Sequence, residues 1–507
     1  MKNLLLIFVS ICAFTSSFGQ NESTGIFQNE TDVGDPALKG SSTYNAGLQE
    51  YVIKGSGYNI WFNRDEFHYL YNKIEGDFIL TANFEFIGKG VDPHRKIGWM
   101  VRESIDEQAS HITATVHGDG LTTLQWRALK GAFMRDPEDE ITSHKNNSSI
   151  IQLERKGDKF VMRAANVGEP LQTVGERMIS YKEEVFAGLF ISSHNPEVFE
   201  EAKVWNVRID QPVADSYNPY DDGFLGCRLE TINVFDGKRK VIYTAEGRFE
   251  APNWMPNGNQ LIFNMDGSLY TISSQGGGGE ITKHNTGFAD RNNNDHGISF
   301  DGKLLAISHH RDGLSGGGST IYVLPLEGGE PKLVTEFTPS YWHGWNPNNK
   351  EVLYVAKRSE DEPYNIYKAT IKDGKEEAIT KFTDGHVDGP EFSPDGKYIY
   401  YNGSQSGTMQ LWRMSPDGSN KEQLTFDQYN SWFPHISPDG KWIAYLNFID
   451  PIPADSHPSY KRVNLNLMPV DGGQSKVIAY LYGGQGTINV PSWSPDSKHI
   501  AFVSNSK

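Results

Sequence analysis

Between residues 77 and 86 the side chains alternate. Phe78, Leu80, Ala82, Phe84 and Phe86 fall on one side of an extended chain, and Asp77, Thr81, Asn83 and Glu85 fall on the other. A repeat of two is the period of a half-buried strand, because successive side chains of an extended backbone point to opposite faces. Residues 97–101, 112–117, 121–127, 150–156, 159–164, 185–192 and 202–209 carry similar patterns, separated by short turns and without a helical period. Many short strands of this kind predict a two-sheet sandwich over residues 41–210.

The pattern changes after residue 225. A corner resembling apolar-Ser-Pro-Asp-Gly recurs six times, clearest in Phe392-Ser393-Pro394-Asp395-Gly396 and Ile436-Ser437-Pro438-Asp439-Gly440, close in Trp493-Ser494-Pro495-Asp496-Ser497, looser from Trp254 and Trp345, and without the proline from Ile298. Counted from Trp254, Ile298, Trp345, Phe392, Ile436 and Trp493, the intervals are 44, 47, 47, 44 and 57 residues. A period of roughly 40–50 residues belongs to propellers and solenoids. The Asp-Gly step makes a tight hairpin whose positions tolerate positive φ. Each corner leads into a strand such as 398–401, then a polar turn, a strand such as 410–414 and a short last strand such as 422–425, which is one four-stranded blade. Six corners predict six blades. After Trp493 only two strands fit before Lys507, and two strands, 229–235 and 239–243, stand upstream of the first corner. These are expected to complete the last blade and close the ring, which removes an open sheet edge.

The fold class is therefore all-β: a sandwich over 41–210, a Pro-, Asp- and Tyr-rich linker at 211–224 and a six-bladed propeller over 225–507. A length of 507 residues fits two or more cores. The first residues read as a secretory signal over 1–19, with Lys2, an apolar run from Leu4 to Ala13, and Ser16, Ser17 and Gly19 before the cleavage point. That run is too short to cross a membrane and no other stretch qualifies. Residues 20–40 are polar and read as a flexible leader. The expected location is periplasmic or extracellular, and the expected state a monomer. Of two cysteines, Cys12 falls in the signal, so Cys227 has no intramolecular partner. A net charge of −17 excludes a basic footprint for nucleic acid.

Two phrases, residues 392–401 (FSPDGKYIYY) and 437–446 (SPDGKWIAYL), resemble the TolB-like (WD40-like, PD40) propeller family. That resemblance implies the six-bladed fold; the same propeller serves scaffolds, peptidases and lyases, so it implies no single activity. A peptidase of this lineage carries a G-x-S-x-G elbow in a following hydrolase domain, and none follows here. The strand order running from Gly76-Asp77-Phe78 to Trp205-Asn206-Val207 is similar to concanavalin A-like jelly rolls of the laminin-G/DUF1349 kind, which often bind carbohydrate. No E-x-D-x-x-E run accompanies it, so binding or structure is expected rather than hydrolysis.

The repeat also supplies a register. Two residues before each corner stand Pro252, His296, His343, Pro390, Pro434 and Pro491, so two successive blades carry His where the others carry Pro. These positions open the innermost strands and should crowd one mouth of the channel. The candidate ligand-binding residues there are Glu250, Asp295, His296, Trp342, His343, His386, Asp388, Trp432, His435 and Asn489. Aromatic faces, amides and carboxylates are what a sugar site needs. Three readings stay open. The residues are turn caps of a protein-interaction scaffold, or they bind a glycan or an envelope protein partner, or they are catalytic. In the third, His296, His343 and His386 hold a divalent metal such as Ca or Mn, no cofactor being certain. That arrangement resembles the oligogalacturonate lyases, and it implies a metal-dependent polysaccharide lyase. Arg248, Arg291, His309, His310, Arg311 and Arg358 are the residues that could make the mouth locally basic.

Overall fold

The computed structural model describes residues 24–507 except 278 and 315. The expected signal peptide, with Cys12, lies outside the described residues. Ahead of the repeats stand two antiparallel sheets of seven strands each. One runs in the order Asn29–Val33, Phe67–Glu75, Glu184–Ser192, Lys96–Arg102, His111–His117, Thr122–Arg127, Glu140–Thr142. The other runs Gln172–Met178, Lys159–Ala165, Ile150–Lys156, Phe78–Ile87, Asn195–Asp210, Glu50–Gly57, Ser41–Asn45. They share one core: Phe78, Leu80, Ala82 and Phe84 from the alternating strand meet Trp99, Ile112, Leu124 and Leu189 from the facing sheet.

Residues 24–40 correct the expected flexible leader. Asn29–Val33 pairs antiparallel with Phe67–Glu75, Phe27 is buried in the shared core, and Asp32 meets His68 at 2.8 Å. An edge strand is ordered through its backbone ladder and a few anchors, so its polar side chains can face water and imitate a linker.

Five four-stranded sheets follow, with innermost strands Phe249–Trp254, Asn292–Ile298, Ser340–Trp345, Val387–Phe392 and Asn430–Ile436. A sixth, three-stranded sheet pairs His499–Ser506 with Gly226–Asn233, and that strand with Arg239–Ala245. Its inner side is a bridge between Trp493 and Ile500. The corners fold as their chemistry dictates. Ser299, Ser393, Ser437 and Ser494 donate to Asp301, Asp395, Asp439 and Asp496 at 2.6–2.7 Å, and the Gly or its substitute turns left-handed, φ +71° at Gly396 and +60° at Ser497.

The two halves are joined by a buried charge cluster. Glu230, fully buried, accepts from Arg239 at 2.8 Å, from Ser504 at 2.6 Å and from Arg208 at 2.5 Å, the last reaching over from strand Asn195–Asp210. Burial alone would raise its carboxyl, but the two guanidinium groups hold it well below the usual carboxylate range. Removing one member of such a cluster strands the others in a dry site. Glu230→Ala should therefore lower unfolding free energy by about 3–5 kcal/mol in urea titrations, and a loss under ~1 kcal/mol would mean the cluster is solvated.

Candidate functional site

Each of the five innermost strands named above leaves its ladder just inside the mouth. The register slips between Glu250 and Asn253, Asn292 and His296, Trp342 and Gly344, Asp388 and Glu391, and Trp432 and His435. A bulge leaves its extra residue unpaired and re-aims the neighbouring side chains. Three bulges contain a left-handed residue: Ala251 at φ +55°, Gly389 at +57° and Phe433 at +57°. At Gly389 a Cβ would stand 2.8 Å from the Asn402 amide oxygen, so the residue after Asp388 has no room for a side chain.

The bulges surround a cup of about 730 Å³. Of the residues expected at the mouth, Glu250, Asp295, His343, His386, Asp388 and Asn489 line it. The other four do not. His296 is wholly buried and its Nδ1 meets the Asn294 carbonyl at 3.0 Å. Its register mate His343 behaves differently because the bulges differ. The second blade inserts two extra residues and returns His296 to the ladder opposite Ile307; the third inserts one, and that one is His343. Trp342 lies over Gly297, where a Cβ would stand 2.0 Å from its ring, and so seals the second blade against the third. Trp432 is buried behind the cup, touching His386 and His457 with ring centroids 5.8 and 4.5 Å away. His435 is a girder: Nδ1 meets Glu391 at 2.8 Å, Nε2 faces the Ile488 carbonyl, and its own carbonyl accepts from Trp493 at 2.9 Å. The three-imidazole set of His296, His343 and His386 is thus not assembled. Among the described residues no group of three or more His, Cys, Asp and Glu could hold a metal ion.

Of the expected basic residues, Arg248, Arg291 and His310 line the cup, while Arg358 is taken up by Glu376 at 2.8 Å. His309 is buried rather than exposed, packed between Phe288 and Tyr322.

The centre of the cup is Asp388. His343 Nε2 stands 2.8 Å from one carboxylate oxygen, and His457 and His386 Nε2 stand 3.6 and 3.9 Å from the other. Burial opposes charge on both members of the His343–Asp388 pair, but their attraction outweighs it: His343 is raised and Asp388 is held well below its usual range. Asp295 goes the other way. Burial pushes it up to about 7, the charges of Asp388 and Glu250 add to the rise, and His343 opposes it. His457 is lowered by its burial. It escaped the sequence reading because it lies in the 449–460 loop between the second and third strands of the fifth blade, away from the corner register. Tyr341 and Tyr364, rings 6.1 Å apart, complete the wall.

The family model described as the TolB beta propeller domain matches residues 298–451. An uncharacterized protein of Agrobacterium fabrum is 43% identical over 283 residues, covering 55% of this chain and 93% of that protein. The chain belongs to the TolB-like β-propeller family. A solved structure described as putative TolB from Agrobacterium tumefaciens is 42% identical, with a TM-score of 0.52, and covers 56% of this chain and 100% of that one. The Tol-Pal system protein TolB of Francisella tularensis is 22% identical over 386 residues, covering 73% of this chain and 81% of that protein. Within this TolB-like propeller, Asp388 is the main group that raises the buried His343 imidazole against its burial. A raised pKa contributes stability that is complete below the unfolded value near 6.5 and is lost as pH rises through the folded value. Replacing Asp388 by Asn removes the largest influence opposing burial and leaves only the weaker ones of Asp295 and the Asn489 backbone. Imidazole NMR should show His343 titrating above about 6.5 in the native protein and below it in Asp388→Asn; an unmoved midpoint would break the pairing.

Proposed function

We propose that this TolB-like protein is exported to the bacterial cell envelope and binds a partner protein through the open mouth of its propeller. The observation that carries this reading is the cup itself. Side chains from all six blades line it, Arg248 and Glu250, Asp295, His343, Asp388, His457 and Asn489 among them. Its central pair is fixed at 2.8 Å, and Asn489 is held by bonds to Gly486 and Gln485 at 2.7 and 3.0 Å. Polar groups held in a concave site before a ligand arrives favour binding, because less ordering remains to be done. Membership of a family that includes a Tol-Pal system protein supports the envelope location, and no helix among the described residues is long and apolar enough to cross a membrane.

A glycan is the second reading. Tyr341 and Tyr364 offer ring faces beside the amides of Gln485 and Asn489, a combination suited to sugar hydroxyls and C–H faces. The paired seven-stranded sheets are read as a concanavalin A-like jelly roll. Their antiparallel order and single shared core support that reading, and through Glu230 they brace the blade that joins the ring's first and last strands.

A photo-crosslinking residue at position 364, in the mouth, should trap one protein species in whole cells, and Asp388→Asn should weaken the trapping at least tenfold. The same probe at Phe300, 47% exposed in a corner at the opposite end, should trap nothing comparable. Equal trapping from both ends would show that the mouth is not the binding surface.

A further inference from the structure

Three of the carboxylates that line the cup, Glu250, Asp295 and Asp388, are buried, and two of these are already neutralised. Arg248 faces Glu250 at 2.6 Å, and His343 faces Asp388 at 2.8 Å. The third, Asp295, is 5% exposed and makes no ion pair among the described residues, yet it lines the cavity. The amide of Asn293 is the neutral group beside it. His343 opposes the rise without forming an ion pair with Asp295, so burial still dominates there, and a cation entering the cavity would meet a carboxyl that no contact ion pair already holds. We propose that Asp295 receives the side-chain ammonium of a lysine presented by the partner protein, an inference that rests on the mouth being the binding surface.

The surroundings select the form of the cation. Asp295 lines the cup and is 5% exposed, so a charge carried on a slender stem is suited to reach it. A lysine ammonium is a compact charge at the end of four methylenes, whereas a guanidinium is a planar fork that wants two acceptors. Tyr341 stands near enough to Asp295 for the two to interact electrostatically, and its ring gives the stem and the charge an aromatic face. Asp266 and Asp290 also line the cup, while Arg291 is turned to Asp312. The approach is therefore acidic, which draws a cation inward. No metal-holding group of side chains competes for the position among the described residues.

Proton release reports the event. The groups facing Asp295 are His343, Asp388, Glu250, Asn293 and Tyr341, and the carboxyl titrates at about 7. At pH 7 roughly half of it is protonated, and an entering ammonium ionises it. Binding should release about 0.5 proton per site at pH 7 and almost none at pH 9.

The test is calorimetry on the full chain with Nα-acetyl-lysine methylamide, run in two buffers of different ionisation enthalpy. Its Nε-acetylated counterpart and glucosamine serve as companion probes. A ligand of this size should bind with a dissociation constant on the order of 1 mM. The Nε-acetyl probe should bind at least tenfold more weakly, and Asp295→Asn should cost at least tenfold while keeping a cooperative urea unfolding transition as proof of folding. Absence of binding by the lysine probe, equal binding of its acetylated form, or an unaffected Asp295→Asn would overturn the proposal. Tighter binding of glucosamine than of the lysine probe would overturn the assignment to a polypeptide. The crosslink from position 364 is independent of amine chemistry, so its persistence alongside a failed lysine probe would sink this inference and leave the mouth as a binding surface.

Discussion

What faces the mouth of this propeller depends on where its innermost strands leave their ladders, because a slip in register re-aims the side chains beside it. One or two extra residues are inserted in each of five innermost strands, just inside the mouth. What faces the cup follows from those insertions. A single extra residue turns His343 to the wall of the cup, and two extra residues fold His296 back into the sheet. The left-handed turn at Gly389 aims Asp388 at the centre, where it holds one imidazole at 2.8 Å and two more within 4 Å.

Around that break the repeats lock to one another through polar contacts as much as through apolar packing. Trp345 and Trp493, each the first residue of a corner, donate to the carbonyls of Gly297 and His435 in preceding blades at 3.0 and 2.9 Å. Asn253 reaches the His296 carbonyl in the same way. These contacts cross from blade to blade close to the axis, so movement of one innermost strand is passed to its neighbours. The sheets ahead of the repeats enter the same network through Arg208 and Glu230, and apolar residues from both halves, Ile79, Leu225, Tyr460 and Tyr482, pack together beside it.

The cup combines opposed electrostatic environments in one cavity. Asp388 is paired with an imidazole and held well below its usual range; Asp295 forms no ion pair among the described residues, and burial pushes it up to about 7 against the pull of His343. Two carboxylates of the same type are driven apart by burial and partners alone. Such pairs mark places where a protein holds polar groups at a cost, and those places are commonly functional sites.

Local signals carried most of the architecture. Alternation marked the strand Phe78–Ile87 and the side it buries, because a two-residue period survives in any sheet with one dry face. The Ser-Pro-Asp-Gly corners counted the blades, because a tight turn with a left-handed position restricts its residues wherever it stands. The edge strand Asn29–Val33 was not legible, since edge pairing uses backbone groups that every residue has. At the mouth, the sequence determined which chemistry was available and, through the register, which residues approach the channel. Tertiary structure alone decided which of them face it. Bulge size depends on how each strand meets its neighbour, and that sent His296, Trp342, Trp432 and His435 into the walls. A loop from the fifth blade brought in His457, and only the folded chain places it beside Asp388.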